Sequence, residues 1–211
     1  MIEGRAMGTL GANCYLFACL ESRKAAIIDP GGDAKNIYRW ILEKDLKVEY
    51  ILLTHGHVDH IGGVEELRAL LGEDVLVGIH AGDAEMLTDA KKNLSCKVGM
   101  NVVLESADFD LQDGQELTIG KKKLKVITTP GHSPGSVCFL SDEGLFSGDT
   151  LSAGSIGRTD FPGGAYARAL LLKCVEKKLL ILPDETRVFP GHREETSIGE
   201  ERRHNLFLKG L

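Results

Sequence analysis

Residues 54–63 read Thr-His-Gly-His-Val-Asp-His-Ile-Gly-Gly and place His55, His57, Asp59 and His60 within six positions, directly after the apolar run Tyr50-Ile51-Leu52-Leu53. Imidazole and carboxylate are donors that zinc, iron and manganese share, so the crowding points to metal coordination. Positions two apart face opposite sides of a helix but the same side of an extended strand, so His55 and His57 converge only if the chain there is extended. Asp59 and His60 follow, and entry into a helix expected from about Ile61 aims them at a second point close by. Three more donors share one context: His132 in TTPGHS, Asp149 in LFSGDT and His192 in RVFPGH each end an apolar strand pattern. Seven donors exceed the roughly four that zinc takes, whereas two divalent ions sharing a bridging carboxylate would each have three or four protein ligands and an open position. An isolated His-x-His pair is more often structural, but one followed by Asp-His and three strand-end donors reads as a metal site.

The elements that must deliver these residues are legible in outline. Strands are expected at 12–20 and 24–29, then a helix over 33–44 with Ile37, Trp40 and Ile41 on one face and Asp33 as its cap. A strand at 48–54 runs into the histidine turn, and a helix over 62–72 is stopped by Gly72 before a strand at 74–80. From 82 to 115 the pattern is weak, with a short helix around Asp83–Ala90. Strands separated by glycine-bearing or proline-bearing turns return from 116 to 149. A loop at 153–164 precedes a helix at 165–180, a strand at 186–192 and a helical segment from Gly199. This alternation suits sheets covered by helices, and the length of 211 residues suits one domain over 1–211. His80 and His204 stand apart from the other donors; a structural or helix-entry role is expected for His80 and a structural role, or else a substrate contact, for His204. Lys121–Lys123 is expected in a solvated hairpin turn.

The net charge of −6 is spread without a basic stripe, which argues against a nucleic-acid partner. Five cysteines without CxxC spacing read as free thiols, several of them buried in apolar runs, and fit a reducing cytoplasmic setting. No run of about 18 apolar residues and no basic-then-apolar start is present, so neither membrane insertion nor export is expected. Oligomeric state is not encoded in any of these patterns.

The motifs THGHVDHIGG, PGHSPGS, SGDT, GSIGRTDFPGG and FPGHREETSIGEERRHNLF together resemble the metallo-β-lactamase superfamily, and within it the small single-domain glyoxalase II-like hydrolases. The resemblance implies an α/β (α+β) fold, an αββα sandwich of two mixed β-sheets flanked by helices, with the metals at one edge. It implies one metal on His55, His57 and His132, a second on Asp59, His60 and His192, and Asp149 as the bridge. Zinc is the expected metal, with iron or manganese suited by the same donors. Asp29, before Pro30-Gly31-Gly32, matches a position that orients a ligating histidine, although a simple turn-forming aspartate would look the same.

The implied chemistry is hydrolysis of an S-acyl-glutathione-type thioester, a small-molecule substrate, by a metal-bridging hydroxide. Metal binding brings the pKa of water towards about 7. One ion stabilises the oxyanion, a thiolate leaves without a dedicated acid, and Asp59 holds or relays the water proton. Arg158 falls where larger glyoxalase II enzymes carry a lysine that binds a glutathione carboxylate; pairing with Asp160 to fix the loop is the alternative. Those enzymes complete the glutathione site with a C-terminal helical region that is not expected here, so lactoylglutathione itself is not the expected substrate. The chain resembles mononuclear iron persulfide dioxygenases too, including GRTDF, and these would use only His55, His132 and Asp149.

Overall fold

The computed structural model describes residues 1–160 and 164–210. Strands β1 (Ile2–Met7), β2 (Ala12–Cys19), β3 (Lys24–Ile28), β4 (Lys47–Leu52), β5 (Leu76–Ile79) and β6 (Phe109–Asp110) form one sheet in that order. Its first three strands are antiparallel neighbours and the rest run parallel. The second sheet takes β7 (Glu116–Ile119), β8 (Lys122–Thr128), β9 (Val137–Ser141), β10 (Gly144–Gly148), β13 (Arg187–Pro190) and β14 (Thr196–Ser197), while β11 (Leu151–Ser152) and β12 (Ser155–Ile156) pair as a small ribbon. Helices α1 (Ala34–Glu43), α2 (Val58–Ile61), α3 (Val64–Leu71), α4 (Ala84–Thr88), α5 (Gly164–Cys174) and α6 (Ile198–His204) complete the described elements with short non-α turns. None of the described helices is long and apolar enough to cross a membrane.

Side-chain alternation explains the layers. Along β2, Cys14, Leu16 and Ala18 join Ile37, Trp40 and Leu67 in a core against α1 and α3. Their neighbours Tyr15 and Phe17 meet Phe139, Phe146 and Phe189 between the sheets. Leu145 and Val188, on the far face of the second sheet, pack on Leu171 and Val175. Each sheet is thus apolar on both faces, which requires helices outside and produces an αββα sandwich.

Several expectations change in detail. β1 was not anticipated, because its alternation is broken by Glu3, Gly4 and Arg5 on an edge. Asp33 precedes α1 but does not cap it: its carboxylate accepts from Gly8 N at 2.8 Å, and its backbone is left-handed (φ 54). The hairpin turn lies at Gly120–Lys121, with Lys122 and Lys123 inside β8 paired to Glu143 and Glu116. Cys96 is exposed, whereas the other four free cysteines are buried.

The strand directions bring the C-terminal ends of β3, β4, β8, β10 and β13 to one edge, and the turns there nest closely. A Cβ on Gly31 would lie 1.6 Å from the carbonyl oxygen of Asp59. Gly31→Ala is therefore expected to push α2 away and to lower stability by about 2–4 kcal/mol, read by chemical denaturation; wild-type stability would show that the turns are not nested this way.

Candidate metal centre

β4 delivers the histidine turn in extended conformation, His57 having φ −73 and ψ 148. The helix then starts at Val58, not near Ile61, so Asp59 and His60 lie within its single turn. Early helix entry leaves the His60 ring beside that of His55, with centroids 4.1 Å apart. His132, on the loop after β8, puts Nε2 at 2.9 Å from His57 Nδ1 and 3.2 Å from His55 Nε2. Burial, and then the neighbouring rings, push His55 well below the ordinary imidazole range, and burial with His132 pushes His57 down to about 3. Both therefore offer neutral lone pairs at pH 7.

Asp59, His60 and His192 form a second group whose donor atoms also converge. Asp59 Oδ2 lies 3.4 Å from His192 Nε2 and 3.9 Å from His60 Nε2. Asp149, which directly follows β10, stands between the groups. Its Oδ1 is 2.9 Å from His192 Nδ1 and 3.6 Å from His60 Nε2, while its Oδ2 is 3.6 Å from His132 Nε2. Each carboxylate oxygen faces a different group.

The donor set fits a cation by a direct observation. Among the described residues, His60 Nε2 is the buried side-chain nitrogen or oxygen that has no hydrogen-bond partner, and it points among carboxylates and imidazoles. Such an atom costs about 1–3 kcal/mol unless something binds it. Burial pushes the His60 ring down, but Asp29, Asp149 and Asp59 outweigh that and raise it to about 9. Hydrogen bonds to Asp149 and Asp59 outweigh burial at His192 and raise it to about 10. Burial acts upward on Asp149, yet His60, His192 and His132 hold it well below the usual carboxylate range. The negative charge is thus in place to receive metal ions once these two rings give up protons.

A ring of supporting residues fixes the donors. Asp29, buried at the end of β3, accepts from Thr54 N at 2.8 Å and Thr54 Oγ1 at 2.6 Å, and from His60 Nδ1 at 2.9 Å. The Thr54 hydroxyl spends its hydrogen on Asp29 and so accepts from His55 Nδ1 at 3.1 Å. One carboxylate therefore turns Nε2 of both His55 and His60 towards the site. Asp83 joins two turns: its Oδ2 accepts from Gly56 N at 2.9 Å and Ser133 Oγ at 2.6 Å, and its Oδ1 from Gly135 N at 2.6 Å.

Sequence reading missed Thr54 and Asp83 in these roles; the only hint for Asp83 was an acidic residue at a helix start, and it makes no capping bond. Arg158 contributes its carbonyl, which accepts from His132 Nδ1 at 2.9 Å. Its exposed guanidinium pairs with Asp160 at 2.9 and 2.6 Å. His80 caps a short turn by accepting from Gly82 N, and exposed His204 pairs with Glu200 along α6. Neither is among the converging donors.

Two sheets packed between helices, with a histidine- and aspartate-rich centre at the shared edge, define a metallo-hydrolase. The chain belongs to the metallo-beta-lactamase superfamily, whose sequence signature matches residues 7–192. It is similar to a probable metallo-hydrolase of Bacillus subtilis, with 40% identity over 97% of this chain and 96% of that one. It is also similar to the hydroxyacylglutathione hydrolase GloC of Haemophilus influenzae, with 36% identity over 89% of each. Among solved structures, a B3 metallo-β-lactamase, BLEG-1, superposes with a TM-score of 0.93, 39% identity and complete coverage of both chains. A protein solved in a di-iron-bound form gives 0.84 and 35%, covering 98% of this chain and all of that one. The fold and the histidine-rich site imply divalent metal ions.

Two outcomes follow. Asp29→Asn has one acceptor oxygen where Asp29 has two, so its amide N–H group must face either Thr54 N or the shared donors Thr54 Oγ1 and His60 Nδ1, and metal affinity measured by chelator competition should fall about 10–100-fold in a folded protein; unchanged affinity would remove Asp29 from the site. At pH 7, loading the chelated protein should release about two protons, from His60 and His192, because their raised values keep both charged until pH passes about 9 and 10. Affinity then rises from pH 6 to 9, and calorimetry in buffers of different ionisation enthalpy reads the release; none would contradict the assignment.

Proposed function

We propose that the chain is a binuclear, metal-dependent thioesterase of glyoxalase II type, cleaving S-acyl-glutathione-type thioesters to a carboxylic acid and a thiol. The observation that carries this reading is Asp149, whose Oδ2 lies towards His132 and whose Oδ1 lies towards His60 and His192, and which converges with His55 and His60 between the two outer donor groups. The likeness to the Haemophilus influenzae hydroxyacylglutathione hydrolase supports the substrate class, and that to the di-iron protein supports two ions. Zinc is the expected metal, with iron or manganese able to use the same donors.

Bound ions would supply Lewis acidity and a hydroxide nucleophile at neutral pH. The protein supplies the rest. Asp29 and Thr54 hold the rings of His55 and His60 in one tautomer, Asp83 fixes the turns carrying His57 and His132, and Asp59, partly open to the cleft, orients the attacking water. A thiolate is a stable enough leaving group to depart without a proton donor beside it. Arg158 would exchange Asp160 for a substrate carboxylate, which it can grip with two N–H groups. A reducing cytoplasm, where thiols and their esters persist, is the setting this reading assigns.

Hydrolysis of a thioester panel by wild type and His57→Ala tests the proposal. The variant should lose at least about a hundredfold in kcat/KM, since even outer partners of metal ligands cost about 10–100-fold. Wild-type activity in the variant would contradict it, because a mononuclear iron centre on His55, His132 and Asp149 does not need His57. The likeness to BLEG-1 makes a β-lactam the comparison substrate; faster β-lactam than thioester turnover would also overturn the proposal.

A further inference from the structure

Leu94 has φ 67 and ψ 7, a left-handed conformation, and it is the one aliphatic residue among the six described non-glycine residues with positive φ. A bulky side chain is strained there and persists only where its surroundings over-determine it. The flanking residues do so. Asn93 is fully buried, donates to the carbonyls of Met86 and Val102, and accepts from Ser95 N; Ser95 accepts in turn from Val102 N. The Asn93 carbonyl also accepts from Val58 N at 2.9 Å, which ties this segment to the histidine turn.

The strained leucine lies where two cavities meet. One, of about 820 Å³, is mostly apolar, lined by Met86, Leu94, Pro130, Ala167 and Leu170. Of the lysines at its wall, Lys92 is already paired with Glu85. The other, of about 470 Å³, carries the cationic side chains Lys97, Arg158 and Arg193 beside Asp59, Asp149 and His192. Leu94, Lys97, His57 and His132 belong to both. A thioester has the same division: an acyl group on one side of the reacting carbonyl and, on the other, a thiol carrier that in glutathione bears carboxylates.

We propose that Leu94 is a specificity-determining partition, held in a strained backbone so that its side chain separates an apolar acyl cavity from a cationic cavity for a carboxylate-bearing thiol. The inference rests on the thioesterase reading for its substrate and deepens it: the enzyme selects thioesters with extended apolar acyl groups. Contact with Leu94 contributes to binding of the chain, whereas the thiol carrier is held independently of it.

Calorimetric titration of the metal-loaded protein with S-methylglutathione and S-hexylglutathione, which cannot be hydrolysed, tests this without turnover. Wild type should bind the hexyl compound at least roughly tenfold more tightly, since part of the added chain is buried. Leu94→Gly should bring the two affinities to within about twofold by weakening the hexyl compound alone. Leu94→Gly should also melt at a higher temperature than Leu94→Ala, because glycine relieves the left-handed backbone that alanine retains.

An unchanged hexyl-to-methyl ratio in Leu94→Gly, equal weakening of both compounds, no wild-type preference, or a lower melting temperature for glycine than for alanine would each overturn the partition. If thioesters are not hydrolysed but the ratio collapses as expected, the partition stands and the reaction assignment alone fails.

Discussion

Asp29 closes β3 in a left-handed conformation (φ 53), and from there its carboxylate receives the backbone and hydroxyl of Thr54 and the ring of His60. β3 and β4 are parallel neighbours, so Asp29 and Thr54 end adjacent strands by virtue of sheet register alone. His60 arrives from α2, one turn beyond. The bonds join sheet, turn and helix through one buried anion, and breaking any of them leaves a buried partner unpaired, at about 1–3 kcal/mol. The orientations of His55 and His60 depend on it, and one is in each donor group.

The second sheet meets this arrangement without covalent help. Gly148 ends β10 at φ 47, and a Cβ there would come within 2.4 Å of Thr54 Oγ1. Asp149 directly follows, so the close approach of Gly148 to Thr54 sets how far the shared carboxylate reaches towards the histidines of the first sheet. Asp83 adds a second tie, between the histidine turn and the loop of His132. The aromatic packing of Tyr15, Phe146 and Phe189 between the sheets holds the two halves at the required distance. Site geometry and core packing are thus one constraint.

Much of this was legible in sequence because each donor lies at the end of an apolar strand, where local pattern and chemistry coincide. The sandwich followed from the same alternation. Unread were features decided by distant partners: Asp83 looks like a helix cap until Gly56, Ser133 and Gly135 are brought to it, and Thr54 looks like any strand-end threonine. Asp33 reads as a cap, yet Gly8 captures it. β1 and β6 hide because an edge strand and a two-residue strand carry too little periodicity. Leu94 has no sequence signature at all, since strain is a property of the folded backbone.

In the proposed thioesterase, two donor groups that share Asp149 would hold two ions in one chain. Native mass spectrometry of the metal-loaded protein, beside His60→Ala, tests it most directly. Two ions per wild-type chain, with one lost in the variant, are the predicted result; one ion in both would contradict the account.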